Sequence, residues 1–226
     1  MINSDSCDFS DRFLASLLRG DRHSCSAIAK QYLAKKPSFL DLYEEVIKYS
    51  LYEVGRLWEK NQISVANEHI ATAITEGILN ELFEEIISKK RINRKVIVAC
   101  VENEHHQIGV KMVADTFEML GWESFFLGTG IPVLELIRYI HEVKPDLIAI
   151  SLSVYFNFAN LIKMIEKIKS EFPEIQILVG GQGFNHLPAD AIAKIGNVVL
   201  LSDLYILKVY IEAVNSATNT KENGTK

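Results

Sequence analysis

Cysteine is scarce in this sequence, and the few cysteines do not form a recognisable site. Cys7, Cys25 and Cys100 are the only three in 226 residues, and no two of them stand in a CxxC pair. An odd number of widely spaced cysteines argues against a disulfide framework and against a structural zinc site. We therefore expect a protein of a reducing compartment and predict that it is cytoplasmic.

Long apolar runs and an excess of positive charge are also missing. No stretch approaches the run of about 18 apolar residues that predicts a membrane-spanning helix, and the N-terminus lacks the charged-then-apolar pattern of a signal peptide. The net charge is −5 at pH 7, so no basic field would attract nucleic acid. Because only about ten residues precede the first predicted helix, we expect no helix-turn-helix domain ahead of it and no direct DNA binding.

Signatures of catalysis are absent as well. The sequence contains no P-loop, no GxGxxG and no arrangement typical of a Ser-His-Asp nucleophile. The glycines Gly180-Gly181-x-Gly183 lack the Lys and Ser/Thr that complete a phosphate-binding loop. We therefore assign no catalytic residue and predict that the chain is not an enzyme.

Two kinds of sequence pattern divide the chain near residue 90. Residues 1–90 read as successive amphipathic helices with short connections, which predicts a bundle of four or five helices. Ser38 and Ser64 are candidate N-caps of the runs 39–58 and 65–88. In residues 91–226, β-branched apolar runs alternate with helical stretches, which predicts an α/β domain with a Rossmann-like (flavodoxin-like), doubly wound parallel sheet.

One edge of this predicted sheet is where a ligand would bind. In open α/β sheets, ligands lie at the loops that leave the carboxyl ends of the strands. Those loops are residues 102–109, 128–132, 151–157 and 180–185. The predicted strands are 96–101, 124–127, 147–153, 176–181 and 198–201. The predicted helices are 107–120, 133–143, 158–171, 189–195 and 204–214. The polar tail from residue 215 is predicted to fray.

The first of these loops contains two histidines and two carboxylates, in the sequence ENEHHQIG. A neutral imidazole is the commonest protein ligand for transition metals, and a carboxylate near its other nitrogen fixes the tautomer. The spacing Glu104-x-His106-x-x-Gly109 provides both groups, and Gly109 would let a flat ligand approach the helix start. Taken alone, such a spacing is more often an ordinary polar loop, so its position after the first strand matters.

The loops in order resemble the B12-binding domain of methionine synthase, methylmalonyl-CoA mutase and related corrinoid proteins. That family carries the motifs D-x-H-x-x-G, then S-x-L or S-x-T, then G-G. The corresponding residues here are Glu104-x-His106-x-x-Gly109, Ser153-Val154-Tyr155 and Gly180-Gly181, and the segment LGTGIP with Gly128 and Thr129 resembles the family loop beside the corrin.

The resemblance implies a cobalamin cofactor held base-off, His-on. On this resemblance, His106 is the lower axial ligand to cobalt and replaces the cofactor's own base. Glu104 is then the hydrogen-bonding partner of His106. Ser153 would contact the displaced base, while Gly180 and Gly181 would leave room for the nucleotide tail. Two departures stand out: Glu replaces Asp at position 104, and Tyr155 replaces a smaller apolar residue, which would reshape the slot for the tail.

His105 and His106 are adjacent, and both are candidate ligands. The spacing to Gly109 favours His106 as the cobalt ligand, with His105 as a neighbour that faces solvent.

A second pattern lies in the helical half, where Trp58 is followed nine residues later by Glu68-His69. Taken alone, Trp58 would be assigned to the core and Glu68-His69 to a partly exposed polar pair. The pattern resembles the helical bundle of B12-dependent photoreceptor transcription regulators. That resemblance implies that Trp58, Val65, Glu68 and His69 cover the upper face of adenosylcobalamin. Glu59 stands where those light-sensing regulators carry histidine, which argues against a photoproduct held by two histidines.

Three hypotheses about function follow from the sequence. The first is a stand-alone cobalamin sensor that holds adenosylcobalamin between bundle and sheet domain and acts through a protein partner in response to light or ligand exchange. The second is a corrinoid shuttle protein for methyl transfer, a non-catalytic subunit of a methyltransferase system. The third is a haem-binding variant of the same fold. Methylcobalamin and hydroxocobalamin are the alternative cofactor forms, and a homo-oligomer is expected by analogy only.

Overall fold

The computed structural model describes residues 4–188, 190–193 and 195–223. The chain divides into two compact units, with the division between Ile86 and Ile87. The first unit is helical. The second contains a sheet of five parallel strands flanked in sequence by helices. This architecture confirms the predicted fold class, a helical N-terminal part followed by a Rossmann-like parallel-sheet domain.

Side-chain caps mark where helices of the first unit begin. Ser38 Oγ accepts a hydrogen bond from the backbone N–H of Asp41 at 3.2 Å, and Ser64 Oγ accepts one from Asn67 at 3.2 Å, which confirms both predicted caps. The helices of this unit are α1 (Ser4–Leu18), α2 (Arg22–Lys35), α3 (Phe39–Asp41), α4 (Tyr49–Glu59) and α5 (Val65–Ile86).

The run predicted as one helix over 39–58 is helical throughout but contains a wider turn. Residues Leu42–Lys48 are π-helical and join α3 directly to α4. A π-helical turn accommodates extra residues without breaking the helix, and such turns are frequent at functional sites. The turn therefore changes which side chains of α4 face solvent, an effect that helical periodicity alone does not predict.

Large side chains fill the core of the helical unit. Phe13, Tyr32 and Tyr43 are fully buried. The Tyr32 hydroxyl donates a hydrogen bond to Glu45 Oε2 at 2.6 Å, so its polar end has a partner. The aliphatic part of this core comprises Leu17, Leu42, Val46, Ile47, Ile78, Leu79 and Leu82.

The sheet of the second unit has the strand order β2-β1-β3-β4-β5, and every neighbouring pair is parallel. The order reverses between β1 and β3, because the chain passes from β1 to β2 on one side and then crosses to β3 on the other. The strands are β1 (Lys95–Cys100), β2 (Glu123–Gly128), β3 (Leu147–Ser151), β4 (Gln176–Gly180) and β5 (Val198–Leu200).

The connecting helices fall close to the predicted positions. Two of them, α7 (Val133–Val143) and α8 (Phe158–Glu171), have the predicted bounds, and α6 spans Ile108–Met119. Strands β1 and β3 are buried almost throughout, as expected for central parallel strands covered on both faces. No helix in the described part of the chain has the length and apolar character needed to cross a bilayer.

Two predictions near the C-terminus are wrong. Residues 190–193 form turns instead of the helix predicted for 189–195, of which residues 189 and 194 lie outside the described residues. The tail predicted to fray from residue 215 continues the last helix, α9 (Leu204–Asn223), and residues 224–226 lie outside the described part. At the start of this extension, Asn215 Oδ1 accepts a hydrogen bond from the indole of buried Trp122 at 2.9 Å.

Candidate functional site

A buried carboxylate and an exposed imidazole face each other in the loop after β1. Glu104 is 1% exposed, whereas the His106 side chain is 55% exposed. Glu104 Oε1 lies 2.5 Å from His106 Nδ1 and also accepts the backbone N–H of His105 at 3.1 Å. With Nδ1 directed at the carboxylate, Nε2 is the ring nitrogen left to face a metal.

The second oxygen of Glu104 reaches the loop after β3. Oε2 accepts hydrogen bonds from the backbone amides of Val154 at 2.9 Å and Ser153 at 3.2 Å, with the side-chain amide of Asn157 at 3.5 Å. The carboxylate therefore joins the two loops that leave the sheet where the strand order reverses, which is the position at which open α/β sheets bind ligands.

The environment of Glu104 keeps it ionised. Burial alone would raise its pKa, but the hydrogen bonds from His106 and from the amides of Val154 and His105 outweigh burial and lower the pKa to about 2. A fixed negative charge at this point favours the proton on Nδ1 of His106. The pair is thus prepared to present an orientated, electron-rich Nε2 to a metal ion.

Cys100, the last residue of β1, is close to this pair but is poorly suited to compete as a ligand. Its thiol lies 3.5 Å from the backbone carbonyl of His106, and burial raises the pKa of Cys100 to about 12. A thiol binds metals as the thiolate, which such a pKa disfavours. Among the described residues, no group of three or more His, Cys, Asp or Glu side chains could hold a metal ion by itself.

Gly109 lies in the first turn of α6 and has no structural reason to be glycine. A Cβ built at this position would meet nothing within 4 Å, and its φ is not in the left-handed region. The space above the helix start, three residues after His106, is therefore open. This opening beside an exposed imidazole fits the flat ring of a corrin, because the ring could approach the backbone without meeting a side chain.

The other predicted glycines are required by the fold itself. Gly128 has φ +65° and its Cβ would come within 2.9 Å of Gln107 Oε1, while Thr129 beside it is half-buried. Gly181 has φ +110° and faces the backbone carbonyl of Leu152 too closely for any Cβ. At Gly180 a Cβ would approach the carbonyl oxygen of Leu201 to 2.7 Å. At Gly180 and Gly181 the neighbouring backbone excludes a side chain whether or not a ligand is present, whereas at Gly128 the positive φ disfavours one.

The loop after β3 contains the predicted Ser153 and Tyr155. The backbone of Ser153 is occupied with Glu104, and the exposed ring of Tyr155 packs against that of Phe156 with centroids 4.0 Å apart. Sequence reasoning missed Ser151, a buried serine at the end of β3 that pairs in register with Gly180. It also missed Asn157, whose approach to Glu104 depends on the order of the strands and leaves no signal in the sequence.

In the helical unit, the predicted upper-face residues lie around the turn between α4 and α5. Trp58 is 46% exposed, so its alternative interpretation as a core residue is wrong, and Val65 is exposed as well. Glu68 Oε2 lies 2.7 Å from His69 Nδ1, and its Oε1 accepts a hydrogen bond from Thr72 at 2.9 Å. The pair repeats, on the surface of a helix, the carboxylate–imidazole contact of the sheet unit.

Comparisons with known proteins match each unit to a family model of its own. Residues 94–202 and residues 10–83 each match a family model described as a B12 binding domain, and together the matches cover about four fifths of the chain.

The chain is 24% identical over 172 residues to the HTH-type transcriptional repressor CarH of Myxococcus xanthus, and the match covers 76% of this chain but only 56% of the repressor. It is 26% identical over 192 residues to trimethylamine corrinoid protein 1 of Methanosarcina acetivorans, covering 82% and 84%. The fold matches that of the Methanosarcina barkeri monomethylamine corrinoid protein with a TM-score of 0.76 and 16% identity, over 92% of this chain and 99% of that one.

Proposed function

The chain belongs to the B12-binding domain proteins, and we propose that it holds cobalamin base-off, His-on, and acts as a sensor without catalytic residues of its own. The observation that carries the cofactor assignment is the contact of Glu104 Oε1 with His106 Nδ1 at 2.5 Å, with the carboxylate buried and the ring exposed. Bound cobalamin supplies a cobalt ion whose axial ligands can be exchanged.

The residues of the sheet unit would act by binding and orientation. His106 would ligate cobalt from below through Nε2, and Glu104 would hold the ring in position and retain the Nδ1 proton. Gly109 would allow the ring to approach α6. Further contacts are proposed for the loop residues that the sequence resemblance implies: Gly128 and Thr129 beside the corrin, and Ser153, Tyr155, Gly180 and Gly181 along the nucleotide tail.

The residues of the helical unit would define the upper side. We propose that Trp58, Val65, Glu68 and His69 contact the upper ligand and that this ligand is adenosyl. Exchange of the upper ligand would then favour one state of the helical unit over another, and a protein partner would detect the difference. A ligand shifts such an equilibrium only through its differential affinity for the two states. The exposed Trp58 and the Glu68–His69 contact support this assignment.

Reconstitution with adenosyl-, methyl- and hydroxocobalamin tests the cofactor assignment. We expect the wild-type chain to give the absorption spectrum of base-off, His-on cobalamin and His106→Ala to lose it. His105→Ala is the matched control, since this adjacent histidine is exposed, and it should keep the wild-type spectrum. Loss of the spectrum in His105→Ala alone would contradict the assignment, and a haem spectrum with no corrin uptake would replace it with the third hypothesis.

A corrinoid shuttle for methyl transfer is the second candidate function. It is favoured by the alignment with trimethylamine corrinoid protein 1, which spans more than four fifths of both chains. The upper ligand distinguishes the two candidates. Copurified adenosylcobalamin, with size-exclusion profiles that differ between darkness and illumination, supports the sensor. Copurified methylcobalamin that a partner methyltransferase demethylates supports the shuttle and contradicts the sensor.

A further inference from the structure

Helix α9 of the sheet unit carries apolar side chains on two opposite sides. Leu204, Leu207 and Ile211 are buried, and α9 packs against α6. Ile206 and Val209 are exposed, at 47% and 64% of their surface. A helix that is apolar all round is normally buried. The exposed side of α9 therefore has the character of a surface that a further contact covers.

The outer face of α9 is formed by Ile206, Val209 and Ala213, which are all exposed. Their spacing alternates between three and four residues, which places them on one side of the helix and is the spacing with which two helices pack together. The side chain of Tyr205 is exposed beside them. Because a helix turns by about 100° per residue, the outer face lies opposite the buried Ile211 and points away from the core.

Two opposite charges lie along one border of the outer face. Lys208 and Glu212 are one turn apart, with Lys208 Nζ 3.8 Å from Glu212 Oε1, and about half of each side chain is exposed. In an antiparallel pair of helices the second helix presents its residues in reverse order. A two-fold axis beside Val209 would place Val209 against its own copy and Ile206 against Ala213 of the other copy. The same axis would place Lys208 against Glu212 of the other copy, so this border is complementary to itself.

We propose that the outer face of α9 is the interface through which two copies of this chain form a two-fold, antiparallel dimer. A second copy is the occupant that the charges favour, because it presents the same two residues in reverse order. The apolar stripe is short, so we expect a dissociation constant of about 10 μM. The inference goes beyond the proposed function, since none of these residues belongs to the cobalamin site and the dimer should form without cofactor.

Sedimentation of the full chain without cofactor tests the interface. Over about 1–200 μM protein, the wild-type chain should shift from the mass of one copy to that of two. Val209→Glu places two carboxylates against each other at the centre of the interface, so it should stay monomeric, with affinity lower by about 100-fold or more. At about 1 μM, where both proteins are monomers, its unfolding temperature should change by no more than about 2 °C. Leu134→Glu, at a similarly exposed leucine of α7, is the matched control and should dimerise as the wild-type chain does.

The two charged residues give a second test that leaves the apolar stripe intact. In Lys208→Glu two carboxylates face each other across the interface, and in Glu212→Lys two ammonium groups do, so each variant alone should dimerise about tenfold more weakly. An equal mixture of the two variants brings opposite charges together at both contacts and should recover the wild-type affinity. The two residues within each helix stay like-charged in the mixture, so only an interaction between copies predicts this recovery.

A wild-type chain that stays monomeric up to about 200 μM overturns the inference. A Val209→Glu variant that still dimerises, or a mixture of the charge variants that recovers nothing, overturns it as well. A fall of more than about 5 °C in the unfolding temperature of Val209→Glu at low concentration would show that the chain itself covers this face, which also contradicts the dimer. The proposed function fails or stands separately, because His106→Ala should keep the dimer and a chain that binds no cobalamin should still form it.

Discussion

The two carboxylate–imidazole pairs of this chain differ in what surrounds them. Glu104 is buried and every oxygen is engaged, so that it fixes His106 and two loops together. Glu68 and His69 lie on the surface of α5, and the His69 side chain is 75% exposed. In the sheet unit the carboxylate–imidazole contact therefore holds parts of the fold together. In the helical unit the same contact lies on the surface of one helix. We therefore expect a change at the buried pair to affect stability and ligand binding together, and a change at the exposed pair to leave stability almost unchanged.

Glu104→Ala should have the largest effect, because it removes the buried member of the first pair. It leaves the half-buried amides of Ser153 and Val154 without their acceptor and empties the buried position of the carboxylate, so we expect a loss of about 2–3 kcal/mol in the free energy of unfolding. Cobalamin affinity should fall by about 10–100-fold, because His106 loses the group that orientates it. Urea denaturation of the cofactor-free chain and a spectroscopic cobalamin titration measure the two effects. Glu104→Gln, which keeps an acceptor for the amides, should lose less stability; equal losses would contradict this account of Glu104.

Gly181→Ala tests whether the glycines proposed to line the nucleotide tail are needed by the fold itself. A Cβ there collides with the Leu152 carbonyl, and the backbone has φ +110°, so we expect a loss of about 2–3 kcal/mol in unfolding free energy without cofactor. Gly130→Ala is the control, since its φ of +76° is also unfavourable but its Cβ would meet nothing within 4 Å. It should cost about 1 kcal/mol. Equal losses in the two variants would show that the collision contributes nothing.

His69→Ala tests the exposed pair, and it should have the smallest effect on stability. The side chain is mostly exposed, so the free energy of unfolding should change by no more than about 0.5 kcal/mol. Adenosylcobalamin binding should weaken by several-fold while hydroxocobalamin binding stays the same, because only the upper ligand would contact this residue. Titrations with the two cobalamins check this, and an equal change for both would remove His69 from the upper-ligand contacts.

Local signals in the sequence predicted a large part of this architecture. Pro132 before α7 and Pro173 after α8 stand near helix ends that were predicted to the residue, and the alternation of apolar runs with helices predicted the parallel sheet. The spacing of Glu104 and His106 also predicted a contact that the structure contains.

The rest depends on contacts between residues far apart in the chain. Asn157 and the Val154 amide reach Glu104 only because β3 lies beside β1, and the sequence does not state the order of the strands. The first residue of the α9 extension is in contact with the rest of the sheet unit through a hydrogen bond between Trp122 and Asn215, 93 positions apart. The exposure of Trp58 argues against only the alternative interpretation, in which a tryptophan taken alone is assigned to the core.

Hydrogen exchange of the two amides that Glu104 binds would measure how often their loop and the loop of Glu104 move apart. The N–H groups of Ser153 and Val154 point at a carboxylate, so their hydrogens exchange with deuterated solvent only when that contact opens. Their exchange rates would therefore report how often the two loops separate, in the cofactor-free chain and without any chromophore. A chain whose loops open rarely would meet its ligand with the site already formed, whereas fast exchange would mean that the ligand itself completes the site.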